Sequence, residues 1–234
     1  MKRTDTPELL DSDSCPPEEA LTSLRDLARI NRWFGGISTS LKLLERAANV
    51  SGRRQFSLLE VGAGLGEVPR IVAQRLATRG ISVETTLLDL QASHLPPRCR
   101  GVAADALGLP FADNAFDAVS CNLFAHHLGP KSLGEFFIEA LRVSRVGVLI
   151  NDLVRHPLHL ALVYAGFPLM RSHVSRHDGV ASVRRAYTLG EIQEIASNAF
   201  PAAKPEIEIS CHYLFRMGII LWKQENLSGQ PALL

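Results

Sequence analysis

No apolar run in this 234-residue chain is long enough to cross a bilayer. The longest, Leu158–Met170, spans about 13 residues and includes His159, against roughly 20 for a membrane helix. Residues 1–20 hold Asp5, Glu8, Asp11, Asp13, Glu18 and Glu19 and no apolar stretch, which argues against a signal peptide. Cysteine is scarce: Cys15, Cys99, Cys121 and Cys211 stand far apart with no C-x-x-C pair. That spacing excludes a usual zinc ribbon and speaks against a disulfide scaffold, so a cytoplasmic, reducing compartment is expected. Net charge is nearly absent too. With 25 Lys+Arg against 24 Asp+Glu the balance is +1, which lacks the basic footprint of a general nucleic-acid binder. There is no internal repeat and no low-complexity tract.

What is present is core material. Hydrophobic residues make up 46% and charged residues 21%, so a wholly disordered chain is excluded, and the length favours one large domain. Residues 1–16 are polar and proline-flanked and are expected to be flexible. Pro16-Pro17-Glu18-Glu19 suits a first helical turn, with Leu21, Leu24, Leu27 and Ala28 following at helical spacing. Trp33-Phe34-Gly35-Gly36 breaks that helix, and Leu41, Leu44 and Ala48 mark a second. The break is readable as the wall and hinge of a mobile lid or as a packed corner between helices.

From residue 56 the periodicity changes. Phe56–Val61 is a short apolar run ending in glycines, as for a buried parallel strand. Val68, Ile71, Val72 and Leu76 give a helix closed by Gly80. Further strands are expected at 82–88, 101–104, 118–122 and 146–150, with a helix on Leu133, Phe136, Phe137, Ala140 and Leu141 before the last. This alternation implies a parallel sheet covered on both faces. Residues 152–187 interrupt it with an apolar helix over 158–170 and then a polar loop. Thr188-Leu189-Gly190-Glu191 is a capping box. Two strands close together between Glu206 and Lys223 must be antiparallel.

The chemistry lies at Glu60-Val61-Gly62-Ala63-Gly64-Leu65-Gly66. Glycines at a strand-to-helix turn let a ligand approach main-chain N–H groups. The dinucleotide fingerprint G-x-G-x-x-G needs its third glycine where Glu67 stands, and a carboxylate there would repel a pyrophosphate. The spacing E-x-G-x-G-x-G resembles the first motif of class I S-adenosylmethionine (SAM) dependent methyltransferases. Leu87-Leu88-Asp89, Ala103-Ala104-Asp105-Ala106 and Leu109-Pro110-Phe111-Ala112-Asp113-Asn114-Ala115-Phe116-Asp117 extend the resemblance over roughly residues 56–150. The nearest branch is the group that includes the ubiquinone/menaquinone-biosynthesis methyltransferases. One departure is Arg142-Val143-Ser144-Arg145-Val146-Gly147, where the family has L-K-P-G-G.

The resemblance implies a Rossmann-like doubly wound sheet, mostly parallel with an antiparallel C-terminal hairpin strand, and a helical lid. It implies a flexible stretch 1–16 and a single methyltransferase domain over 17–234, with lid segments at 17–50 and 152–187. SAM is the implied cofactor. Its site would comprise Glu60, Gly62, Ala63, Gly64 and Gly66, with Asp89 and Leu90 at the ribose, Asp105 and Ala106 at the adenine, and Asn122 and Leu123 beside the sulfonium. His126 and His127 follow strand four at the carboxyl edge, where open parallel sheets bind ligands, and either could act as a general base. Packing beneath the lid is the other reading of the pair. No carboxylate lies at helical spacing from them, so no metal is expected. Trp33, Phe34, His177 and Arg184 are candidate substrate contacts.

The expected activity is methyl transfer to a small aromatic or lipophilic acceptor of phenol or quinol type. The expected partner is that small molecule, with no nucleic acid, no stable membrane insertion and a homodimer left open. A non-catalytic SAM-binding module and an NAD(P)-dependent oxidoreductase share parts of this pattern.

Overall fold

The computed structural model describes residues 1–10, 15–202, 204–213 and 215–224. Parts of the expected loose lead (11–14) and of the expected domain (225–234) lie outside these residues. Seven strands form one sheet: β1 (Gln55–Val61), β2 (Ser82–Asp89), β3 (Gly101–Ala103), β4 (Phe116–Asn122), β5 (Ser144–Leu153), β6 (Glu206–His212) and β7 (Arg216–Trp222). Their order is β3-β2-β1-β4-β5-β7-β6. The first five run parallel, whereas β7 is antiparallel to both of its neighbours. The carboxyl ends Val61, Asp89, Asn122 and Leu153 therefore share one edge, which is where ligands bind in sheets of this kind.

Both faces are buried, as the continuous apolar strands require. Leu58, Leu149 and Ile220 face a layer with α2 (Gly36–Ser51) and α3 (Glu67–Ala77). Their sequence neighbours Leu59, Val148 and Ile219 face α4 (Pro130–Val143) and α7 (Leu189–Ala199) on the other side. The period-2 alternation of strand side chains divides these residues between the two layers. The Thr188–Glu191 capping box is present at the start of α7.

Three further helices lie over the carboxyl edge or beside it: α1 (Pro17–Trp33), α5 (Pro157–Ala165) and α6 (His173–Arg185). The apolar helix expected over 158–170 ends at Ala165, because Pro168 has no N–H to continue the ladder; a single 3-10 turn at Phe167–Leu169 follows. The stretch expected as a polar loop is instead helix α6. Ser172 starts it, its Oγ accepting the Val174 N–H at 3.1 Å. The segment expected as an N-terminal lid also divides. Only α1 overlies the edge, while α2 is a core helix burying Ile37, Leu41, Leu44 and Ala48. Residues 1–10, expected to be loose, run along α6 and the turn after β4. The Leu9 and Leu10 N–H groups donate to Asp178, and Arg3 donates to the carbonyls of His126, Leu128 and Arg185.

Candidate active site

The glycine turn links β1 to α3 and lines a cavity of about 540 Å3. Gly62 and Gly66 both have φ near +60°, and each is also fixed by packing. A Cβ on Gly62 would stand 2.5 Å from the Phe124 ring, and one on Gly66 2.5 Å from Leu87. Gly64 differs: its Cβ would meet only Leu24, at 3.8 Å. That open side faces the cavity, so a ligand can reach the main chain there.

Asp89 closes the turn from the end of β2. Its carboxylate accepts the Gly64 N–H at 2.9 Å and the Gln91 N–H at 3.2 Å, and His94 Nδ1 lies 3.3 Å away. Burial works to raise its pKa. The His94 ring and the two N–H donors outweigh burial and hold it below the ordinary carboxylate value. Leu90 is exposed beside it. Asp105 accepts the Leu107 N–H at 2.9 Å and lines the cavity with Ala106.

Glu60 is fully buried, donated to by Ser120 Oγ and Asn122 Nδ2. Burial prevails over these bonds and pushes its pKa up to about 7. Asn122 has both ends engaged, since its Oδ1 accepts from Ser40 and from Asn151. Its side chain therefore braces the floor, and it lines the cavity together with Leu123.

Beyond the carboxyl edge, α1 contributes Leu24, Leu27 and Ala28, and the α5–α6 segment contributes Val163, Met170 and Val183. The candidate substrate contacts are placed elsewhere. Trp33 is 59% exposed, and neither it nor Phe34 lines the cavity. The helical phase that turns Leu24, Leu27 and Asn31 inward carries Trp33 outward. His177 pairs with Asp178 at 2.9 Å and also lies outside the cavity, as does the exposed Arg184.

His126 and His127 do line the cavity, in a 3-10 turn after β4. His126 is 2% exposed and sits between two carboxylates, with Nδ1 2.7 Å from Asp152 and Nε2 3.2 Å from Glu8. Burial opposes its charge, but Asp152 and Glu8 outweigh burial and raise its pKa. Both ring nitrogens thus face carboxylates, and neither faces an acceptor as the expected general base would. His127 is more open, stacks on Phe124, and lies 3.6 Å from Glu8.

Several cavity residues had no sequence motif to mark them. Glu8 is buried, accepts Ser182 Oγ at 2.7 Å, and is held ionised by His126 and His127 despite its burial. Arg216 is buried on β7, donating to the Phe34 carbonyl, Asn151 and Asn31. Burial pulls its pKa down to about 10, with Asp152 opposing, so it stays charged near neutrality.

Residues 59–150 match the family model described as a methyltransferase domain. The plantazolicin methyltransferase BpumL, solved with a monoazolic desmethylPZN analogue and SAH, superposes with a TM-score of 0.67 at 14% identity, covering 88% of this chain and 90% of that one. The plantazolicin methyltransferase BamL gives 0.62 at 16% identity over 85% and 74%. A SAM dependent methyltransferase from Aquifex aeolicus gives 0.52 at 14% over 87% and 97%. No curated protein matches the sequence.

These likenesses show the class I methyltransferase fold, whose antiparallel β7 sits between β5 and β6 here. The dinucleotide-binding sheet has the order 3-2-1-4-5-6, so the topology separates the domain from that class as the glycine spacing does. Among the described residues no helix is long and apolar enough to cross a membrane.

The departure at Arg142 also finds a role. Its guanidinium donates to the carbonyls of Leu109 and Phe111 and pairs with Asp113 and Glu139. It thereby ties the Leu109–Asp117 segment to α4.

Proposed function

We propose that this domain transfers the SAM methyl group to a small lipophilic acceptor, aromatic and of phenol or quinol type. Glu60, the 62–66 turn, Asp89, Leu90, Asp105, Ala106, Asn122 and Leu123 would form the cofactor half. The observation that carries the acceptor class is the far half of the cavity. Leu24, Leu27, Val163 and Met170 give it apolar walls, and Glu8, His126, His127, Asp178 and Arg216 are the charged or titratable groups set among them. Such a lining desolvates a flat apolar molecule while orienting its single nucleophilic atom. Methyl transfer from a sulfonium is an in-line displacement, so positioning of two reactants in a dry site is the main demand on the protein. The quinone-biosynthesis branch suggested by the sequence motifs agrees with this lining. The likeness to BpumL carries the fold and not its azole-bearing ligand.

The test pairs binding with turnover. Calorimetry should show SAM and its demethylated product binding, with NADH silent. Labelled SAM should then methylate members of a panel of phenols, quinols and lipophilic acids. NADH binding without SAM binding would overturn the cofactor assignment. SAM binding with no methylation of any aromatic hydroxyl would favour a binding module over an enzyme of this class.

A further inference from the structure

The cavity gathers metal-ligand side chains from two distant parts of the chain. Glu8 arrives from the N-terminal lead, and His126 and His127 from the turn after β4. One ligand atom from each lies within 4.8 Å of the others. His126 Nε2 is 3.2 Å from Glu8 Oε1, and His127 Nε2 is 3.6 Å from Glu8 Oε2. Ligands held about 2.0–2.1 Å from a tetrahedral ion stand roughly 3.3–3.4 Å apart. We propose that Glu8, His126 and His127 form a site for a divalent cation of the zinc class, with a fourth position open to the cavity.

The surroundings are built for this role. The far nitrogen of His126 lies 2.7 Å from Asp152 Oδ1, and its backbone N–H donates to Asp152 Oδ2 at 3.1 Å. A carboxylate on the second nitrogen fixes the ring and directs the first nitrogen toward a metal. Ser182 Oγ steadies the Glu8 carboxylate. The ligand-bearing turn is itself clamped. Arg3 holds the His126 and Leu128 carbonyls, Arg185 that of His127, and the Tyr187 hydroxyl again that of Leu128. Two imidazoles and one carboxylate suit zinc, whereas calcium and magnesium take oxygen donors. Binding displaces the Nε2 proton of His126 to solvent, and the dication then takes over from the protonated ring in balancing Glu8 and Asp152, buried on either side of it. The sequence argues against a metal because no carboxylate lies at helical spacing from the histidines. The fold brings one from 118 residues away.

The consequence for catalysis rests on the methyl-transfer reading, although the ion site does not. An acceptor R–OH takes the open position in place of water and releases its proton to solvent, its oxygen anion stabilised by the dication. That oxygen then forms the O–CH3 bond as the C–S bond of the sulfonium breaks and sulfur keeps the electron pair. A neutral ether and a neutral thioether result.

The experiment uses the full chain, stripped with chelator and desalted. Zn2+ is titrated by calorimetry and Co2+ by visible absorption, with SAM binding and circular dichroism measured on the same samples. One equivalent of Zn2+ should bind at micromolar concentration or below, and Co2+ should give the intense visible band of a four- or five-coordinate site. Glu8→Gln and His127→Ala should each weaken Zn2+ binding about tenfold or more. The part-exposed His127 makes the second variant the safer folder, and SAM affinity should stay within about threefold in both. No saturable Zn2+ binding by the folded wild type would overturn the site. So would binding undiminished in both folded variants, which places the ion elsewhere. Zn2+ binding without SAM binding would leave the site standing and sink the methyl-transfer reading. SAM binding without Zn2+ binding would do the reverse.

Discussion

At Asp89 the carboxylate proposed for the ribose hydroxyls already accepts the Gly64 and Gln91 N–H groups. One side chain therefore shapes the glycine turn and offers its remaining lone pairs to the ligand. Asp89→Ala removes both functions, and SAM affinity should fall tenfold to a hundredfold, about 1.5–3 kcal/mol. Titration calorimetry checks this, and an unchanged dissociation constant in folded protein would assign the ribose to another residue. Glu60 makes a different prediction, about stability. Its pKa is about 7 in the folded protein against 4.5 for the free side chain. The folded state thus holds a proton that the unfolded chain has released between those values. The stabilisation is fully present below pH 4.5 and is lost as pH rises through 7. The full effect is on the order of 3 kcal/mol. Glu60→Gln cannot titrate, so its unfolding free energy should fall less than the wild type's between pH 5 and pH 8. Parallel profiles from urea melts would show that Glu60 is ionised at both ends of that range.

At the scale of helices and strands, what was legible in the sequence followed from local pattern. The β1 apolar run, the Gly62–Gly66 spacing and the Thr188 capping box each need only neighbouring residues to specify them. Helix α6 was not legible because His173–Arg185 is polar and weakly patterned. It is held from outside, by Asp26 of α1 accepting the Arg171 and Ser172 N–H groups at 2.7 and 3.0 Å. Glu8 was invisible for the same reason, as its partners lie more than a hundred residues away. Trp33 misled because an aromatic beside two glycines reads as a pocket wall, whereas the phase of α1 turns it to solvent. Asp26→Ala should accordingly cost about 2–3 kcal/mol, since it strands two N–H groups and frees the start of α6. Thermal melts would register the loss, and a change below about 0.5 kcal/mol would mean solvent replaces the cap. Removing residues 1–10 is more selective. It deletes Glu8 and Arg3 and leaves every strand and core helix intact. Turnover should drop at least a hundredfold while SAM affinity stays within about threefold, roughly 0.7 kcal/mol.

Across the whole molecule, stability and recognition sit in different parts of the fold. The sheet and its two flanking layers hold the large buried side chains, among them Phe136, Phe137, Leu133 and Trp222. The cover over the carboxyl edge is stitched largely by polar contacts. Ser23 meets Ser175 at 3.2 Å, Ser172 meets Glu19 at 2.7 Å, and Asp178 meets the Leu9 and Leu10 N–H groups. Segments with few buried apolar contacts open at lower free energy than the core. A methyl donor also needs its acceptor sealed from water, so ligand should draw its binding energy partly from closing this cover. Hydrogen exchange then has a specific expected map. With SAH and an acceptor analogue bound together, amides of residues 1–10, 17–33 and 157–185 should slow, and those of β1, β4 and β5 should hardly change. SAH alone should protect the 62–66 turn and the end of β2 while leaving α5 and α6 near their free rates. The contrast between the two ligand states carries the argument, because it separates a cover that responds to the acceptor from a fold that merely tightens around its cofactor. Uniform slowing in both states, sheet included, would show that α1, α5 and α6 belong to the rigid body and do not select the substrate by closing over it.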